Sequence, residues 1–114
     1  MSDVQGMRPF VHPPVEDITL SGVLYALSDP ARLAIIRALA GAGDCLSCSQ
    51  AAPGALPKST LSHHYRILRE AGLIRSERRG AEVRNTLRCQ DVDRRFPGLL
   101  AKVLEAAGQS ASRA

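Results

Sequence analysis

A chain of 114 residues, 45% hydrophobic but only 4% aromatic and without tryptophan, is expected to form one domain. Leu, Ile, Val and Ala must build its core, which suits helices more than a β-sandwich, and a core of this size stabilises a monomer only narrowly, so dimerisation is expected. The formal charge is +4, the cysteines number three, and no secretory leader or bilayer-spanning apolar run stands in the sequence, which argues against a secreted disulfide scaffold or a membrane partner and for a cytoplasmic protein with reduced thiols.

Residues 1–14, with Gly6, Pro9, Pro13 and Pro14, read as an extended arm. Residues 15–107 read as the folded domain and residues 108–114 as a flexible tail. "VEDITLSGVLYALS" gives a first helix with Leu20, Leu24 and Leu27 on one stripe. "DPARLAIIRALAGAG" gives a second: Asp29 caps it, Pro30 suits its first position, Gly41 or Gly43 stops it, and Leu33, Ile36, Leu39 and Ala40 form its buried face. "DCLSCSQAA" reads as a short third helix, capped by Asp44 and ended at Pro53-Gly54. "KSTLSHHYRILREAG" is the fourth, stopped by Gly72. The period then changes to two. "LIRSER" and "EVRNTLR" form a β-hairpin around "RGA" at 79–81, with Val83 and Leu87 on one face and Glu82, Arg84 and Arg88 on the other. In "DVDRRFPGLLAKVLEAA", Leu99, Leu100, Val103, Leu104 and Ala107 return to helical spacing, and Pro97 kinks or restarts the helix.

Ten of the fifteen basic residues lie between Lys58 and Arg95, against five acidic ones, and nine of the ten are Arg. Such an excess is either a solvated face or the footprint of a nucleic-acid binder. On a helical wheel, Leu61, His64, Tyr65, Leu68 and Ala71 fall on one side of the fourth helix, with Ile67 at its margin. Ser59, Ser62, His63, Arg66 and Glu70 fall on the other, with Arg69 near the edge. His64 is therefore expected at the edge of the core with its hydrogen bond satisfied. His63 points outward among hydroxyls and a guanidinium, a set that can reach base edges or grip phosphate in a major groove. The short helix and Pro-Gly turn just before make a helix-turn-helix, and a basic hairpin follows.

The runs "DPARLAIIRAL" and "STLSHHYRILREAGLIRSERRGAEVRNTL" resemble the ArsR/SmtB family of winged helix-turn-helix regulators, over roughly residues 17–105. The resemblance implies a mainly α fold with a β-hairpin wing: four helices, two strands and a fifth helix. It also implies a homodimer joined through the first and fifth helices, repressing from a double-stranded operator. Carried over, the DNA contacts are Lys58, Ser59, Thr60, Ser62, His63 and Arg66 on the recognition helix and Arg78, Arg79 and Arg84 on the wing. Pro57 stands where the family often has Ser, so the helix start loses a side-chain cap.

Relatives often release DNA on binding a metal or metalloid through a Cys-x-Cys at the third helix. This chain has Cys45 and Cys48 there, spaced Cys-x-x-Cys. Residues three apart share a helical face, so both sulfurs could meet one ion or each other. Three readings stay open: an arsenite-like soft metalloid with a third ligand such as Cys89 or a partner's His12, thiol oxidation, or two structural cysteines. No cofactor is required by the sequence. The family's Asp/His zinc site on the last helix is not expected, because residues 91–107 contain no histidine. An enzyme is not expected either. Ser62 and His63 diverge by about 100° on a helix, and no phosphate loop or dinucleotide fingerprint is present. A winged helix used only for protein contacts is the remaining rival class.

Overall fold

The computed structural model describes residues 10–42 and 46–113. The arm before Phe10, Gly43, Asp44, Cys45 and Ala114 lie outside the described residues. A 3-10 turn at Val15–Asp17 precedes α1, Leu20–Leu27. The expected first helix is thus broken: Ile18 is extended and buries its side chain, and the Thr19 hydroxyl accepts the Gly22 N–H at 3.1 Å to open α1. The leucine stripe is corrected too. Only Leu27 of the three packs inward, with Val23 and Ala26, while Leu20 and Leu24 are exposed.

Helix α2, Pro30–Ala42, starts as expected: the Asp29 carboxylate accepts from the N–H groups of Ala31 at 2.8 Å and Arg32 at 3.2 Å. Its inward face is rotated from the expected one. Arg32, Ile35, Ile36 and Leu39 are buried, Leu33 is half-buried, and Ala40 faces solvent. A buried arginine is what turns it.

The third helix begins later than expected. Leu46–Ser47 forms a two-residue strand, β1, and α3 spans only Cys48–Ala51. Asp44, the expected cap, lies outside the described residues; Ser47 provides a cap. Its hydroxyl accepts the Gln50 N–H at 3.3 Å, and the Gln50 side-chain oxygen accepts the Ser47 N–H at 2.8 Å. This is the reciprocal box that Ser-x-x-Gln makes.

Helix α4, Lys58–Glu70, has Pro57 at its N-cap without a side-chain cap. It ends as its glycine demands. Gly72 has φ +83°; its N–H donates to the Arg69 carbonyl at 3.0 Å, and the N–H of buried Leu73 donates to the Leu68 carbonyl at 3.1 Å. A Cβ at Gly72 would sit 2.5 Å from Ile18 Cγ1. Gly72→Ala is therefore expected to lower stability by about 2 kcal/mol, left-handed strain and overpacking together. A urea melt checks this, and a loss under about 0.5 kcal/mol would refute it.

Strands β2, Ile74–Arg79, and β3, Glu82–Leu87, pair antiparallel with Arg79 opposite Glu82. Gly80, with φ +64°, and Ala81 make the two-residue turn, glycine standing first as a II′ turn requires. β1 joins β3, so the hairpin is part of a three-stranded sheet ordered β1-β3-β2. Helix α5, Cys89–Arg95, and helix α6, Leu99–Arg113, are separate; the chain restarts at Pro97–Gly98, as the proline suggested. The segment from residue 108, expected as a tail, is helical as far as Arg113. The core lies where α1, α2, α4 and the base of the sheet meet, around Val23, Ile35, Ile36, Tyr65, Leu68 and Ile74. This is a mainly α, winged helix-turn-helix fold.

Candidate nucleic-acid interface

The fold divides α4 as its wheel divides it. His64, Tyr65 and Leu68 are buried, Leu61, Ile67 and Ala71 half-buried, and Lys58, Ser59, Thr60, Ser62, His63 and Arg66 all exposed. The inner face is fastened by polar contacts as well as packing. The Tyr65 hydroxyl donates to the Cys48 carbonyl at 2.9 Å, pinning α4 to α3. Burial pushes this phenol's pKa well up, so it stays a donor. His64 Nδ1 lies 3.3 Å from Arg32 Nη1. Arginine only donates, so Nδ1 accepts and the imidazole carries its proton on Nε2. The remaining nitrogens of Arg32 donate to the carbonyls of Ala26 at 2.7 Å and Tyr25 at 3.2 Å. These belong to the last turn of α1, where the Tyr25 carbonyl also accepts from the Ser28 N–H at 3.1 Å and hydroxyl at 2.6 Å. One buried guanidinium thus ties the end of α1 to the back of α4.

The outward groups are held lightly. Arg66 pairs with Glu70 at 3.1 Å with both side chains more than 60% exposed, a contact worth a few tenths of a kcal/mol that a phosphate can displace. On the wing, Arg78 and Arg79 are exposed, and Arg79 reaches Glu77 at 2.6 Å. Arg84 sits deeper, 3.4 Å from Glu82 and 3.5 Å from the Gln50 oxygen, and so links the wing to α3. Arg88, expected on the same face as Arg84, is corrected: the chain leaves the strand at Leu87, and Arg88 is buried with Nε on Asp91 at 3.0 Å.

Between Val83 and Leu87, on the inward face of β3, lies Asn85, fully buried. Its amide oxygen accepts from the Ser76 hydroxyl at 2.6 Å, directly across the hairpin. Its amide nitrogen donates to Cys48 Sγ at 3.4 Å. The helical Cys-x-x-Cys face is also corrected: Leu46–Ser47 is extended and α3 begins at Cys48, while Cys45 lies outside the described residues. Cys89 is exposed at the start of α5. Among the described residues, no three His, Cys, Asp or Glu side chains come together to hold a metal ion.

The described end of the arm is docked, which its composition gave no sign of. Phe10 lies under two guanidinium groups, 4.5 Å from Arg69 and 5.4 Å from Arg78. His12 Nε2 accepts the Ser76 backbone N–H at 2.9 Å. Burial, then the positive charges of Arg75, Arg88 and Arg69, hold the His12 pKa below 6.5. The docked imidazole is therefore harder to protonate than in the unfolded chain. Its contribution is complete above about pH 6.5 and is lost as pH falls through the lowered value. The Tm difference between the native chain and His12→Ala is expected to shrink as pH falls from about 7.5 to about 5. A constant difference would show that the contact does not need the neutral ring.

Among the described residues, no helix is long and apolar enough to cross a membrane. A family model described as a helix-turn-helix domain matches residues 27–77, from the end of α1 into β2. YceK of Bacillus subtilis, an uncharacterised HTH-type transcriptional regulator, is 36% identical over 86 residues, 75% of this chain and 86% of that protein. MJ1325 of Methanocaldococcus jannaschii, another such regulator, is 34% identical over 58 residues, 51% of this chain and 65% of its own. The crystal structure of the transcriptional repressor BigR from Xylella fastidiosa is similar with a TM-score of 0.58 at 22% identity, over 76% of this chain and 80% of that one. That of an ArsR family transcriptional regulator gives 0.60 at 23% identity, over 91% and 100%. At these identities the two structures bear on the fold alone, which is a winged helix-turn-helix.

Proposed function

Since the chain belongs to the HTH-type transcriptional regulators, we propose that it is a cytoplasmic, dimeric repressor that reads double-stranded operator DNA with the outer face of α4. One observation carries this reading: six polar or basic side chains, Lys58 to Arg66, stand exposed on a helix whose opposite face is locked into the core, beside an arginine-bearing wing. A recognition helix needs that combination, because base edges are read only by groups held at a fixed depth and pitch. Ser59, Thr60, Ser62 and His63 supply hydroxyls and an imidazole for base edges, and Arg66 reads guanine or grips phosphate. Arg78 and Arg79 hold the backbone, and Arg84 supports the wing from its base. The likeness in fold to BigR, a transcriptional repressor, supports repression.

A gel shift against the promoter of the protein's own gene tests this. Ser62→Ala and His63→Ala are each expected to cost about 1–3 kcal/mol of specific affinity. Arg79→Gln is expected to weaken all duplexes alike and to lower the salt slope by about one. No shifted duplex at moderate salt would leave a protein-contact module instead.

Release is assigned to thiol chemistry at Cys45 and Cys48, with an arsenite-like metalloid or an oxidant as the trigger. The Asn85 contact supports it: a change at the Cys48 sulfur alters an acceptor used by a fully buried amide of the wing. The same contact favours a second reading, in which Cys48 is a structural residue. Repeating the gel shift with arsenite or oxidant separates them. The Cys45→Ser/Cys48→Ser variant loses the response under the first reading; if no trigger releases the native chain, the second holds.

A further inference from the structure

Between α4, the wing and the docked arm lies a cleft of about 560 Å³, the size of pockets that hold small organic ligands, about 300–1,000 Å³. Its walls are of two kinds. Leu61 and Val83 supply apolar surface, and the Phe10 ring lies alongside. Arg69 from α4 and Arg78 from β2 converge on that ring, and neither makes an ion pair with a carboxylate among the described residues. Both cations thus lie against one ring on an apolar wall, with Glu82 the one acidic residue among the described residues that line the cleft, itself paired to Arg84.

We propose that this cleft binds a small amphipathic anion, an acyl or aromatic body carrying one carboxylate or sulfonate, and that its occupancy excludes DNA. The body lies on Leu61 and Val83; the head sits between Arg69 and Arg78, where charge-assisted hydrogen bonds are open to it. Exclusion follows from shared residues, because Lys58 and Ser62 line the same cleft and belong to the DNA-facing set. Only this second half rests on the DNA-binding reading.

The first half is tested without DNA. The full chain has no tryptophan, so the fluorescence of 8-anilinonaphthalene-1-sulfonate can be followed against a low background. Saturable binding of one dye per chain is expected, displaced by octanoate but not by octylamine at the same concentration. Arg69→Gln is expected to weaken the dye about tenfold or more, and Val83→Phe, which fills the cleft, to abolish it with native circular dichroism. If both variants bind as the native chain does, and Leu24→Lys instead loses the dye, the ligand lies on the apolar face of α1 and the cleft proposal fails. The second half is read by gel shift. Octanoate at ten times its dissociation constant is expected to weaken operator binding about tenfold in the native chain but not in Val83→Phe. Octanoate that binds and leaves the shift unchanged overturns exclusion. Absence of any shift without octanoate defeats the DNA reading, and the cleft then stands on the dye titration alone.

Discussion

Arg32→Ala is expected to destabilise the protein by about 3 kcal/mol or more, a fall in Tm on the order of 12 °C for a domain of this size. Arg32 is only 6% exposed. Removing its side chain strips donors from the Ala26 carbonyl and His64 Nδ1, while the Tyr25 carbonyl keeps the Ser28 N–H and hydroxyl. A buried acceptor left without a partner costs about 1–3 kcal/mol. The cation stacked 5.2 Å from the Tyr25 ring is lost as well. Arg32→Lys is expected to recover only part of this, because an ammonium cannot reach three acceptors that a planar fork reaches at once. The functional consequence is separate from the energetic one. His64 sits on the inner face of the helix whose outer face carries Ser62 and His63, so loosening Arg32 frees the pitch of that outer face. At temperatures where Arg32→Ala is still folded, its specific DNA affinity is expected to fall while its non-specific binding persists. Calorimetry and gel shift read the two effects; a melt within about 1 kcal/mol of native would mean that the arginine is merely covered, not engaged.

Arg32 also marks how far the sequence could be read. Helix α4 was legible because its apolar positions recur at three and four residues and a glycine ends it; Ser59, Ser62, His63, Arg66 and Glu70 of its outer face are exposed, and Arg69 at the edge is half-buried. The cap at Asp29 and the restart at Pro97 were legible for the same local reason. Arg32 was not, because a charged residue in "DPARLAII" reads as surface, and its burial depends on His64, 32 positions away. Asn85 was hidden twice over: alternation gives it the inward face, but its partner Ser76 follows only from the register that Gly80–Ala81 sets. The cap of α3 was in plain view as "SCSQ", yet Asp44 was the more familiar start signal; the strand before it exists only because β3 lies alongside. Phe10 gave no signal, since one aromatic residue in a proline-rich arm does not say which cations it will meet. Leu20 and Leu24 were read as apolar correctly and as inward wrongly. Periodicity shows that a stripe wants burial, not which chain provides it.

That stripe yields the second large prediction. Leu20 and Leu24 are each 47% exposed and Tyr25 60% exposed, an apolar surface one turn long that an isolated chain of this size has reason to cover. A second copy is the occupant the dimeric reading calls for, and two recognition helices set one helical turn of DNA apart need a fixed joint. Leu24→Lys is expected to sediment as a monomer at micromolar concentration. Its operator affinity is expected to fall by a hundredfold or more, the scale of the effective-concentration advantage that linking two half-site readers supplies. Folding supplies the control. The native chain should become more resistant to urea as its concentration rises, because association stabilises only the folded state. The variant should lose that dependence and, being changed at an exposed position, unfold within about 0.5 kcal/mol of the native monomer. A Leu24→Lys chain that still dimerises would move the joint off α1. One that is monomeric but binds its operator undiminished would mean that a single α4 and wing suffice.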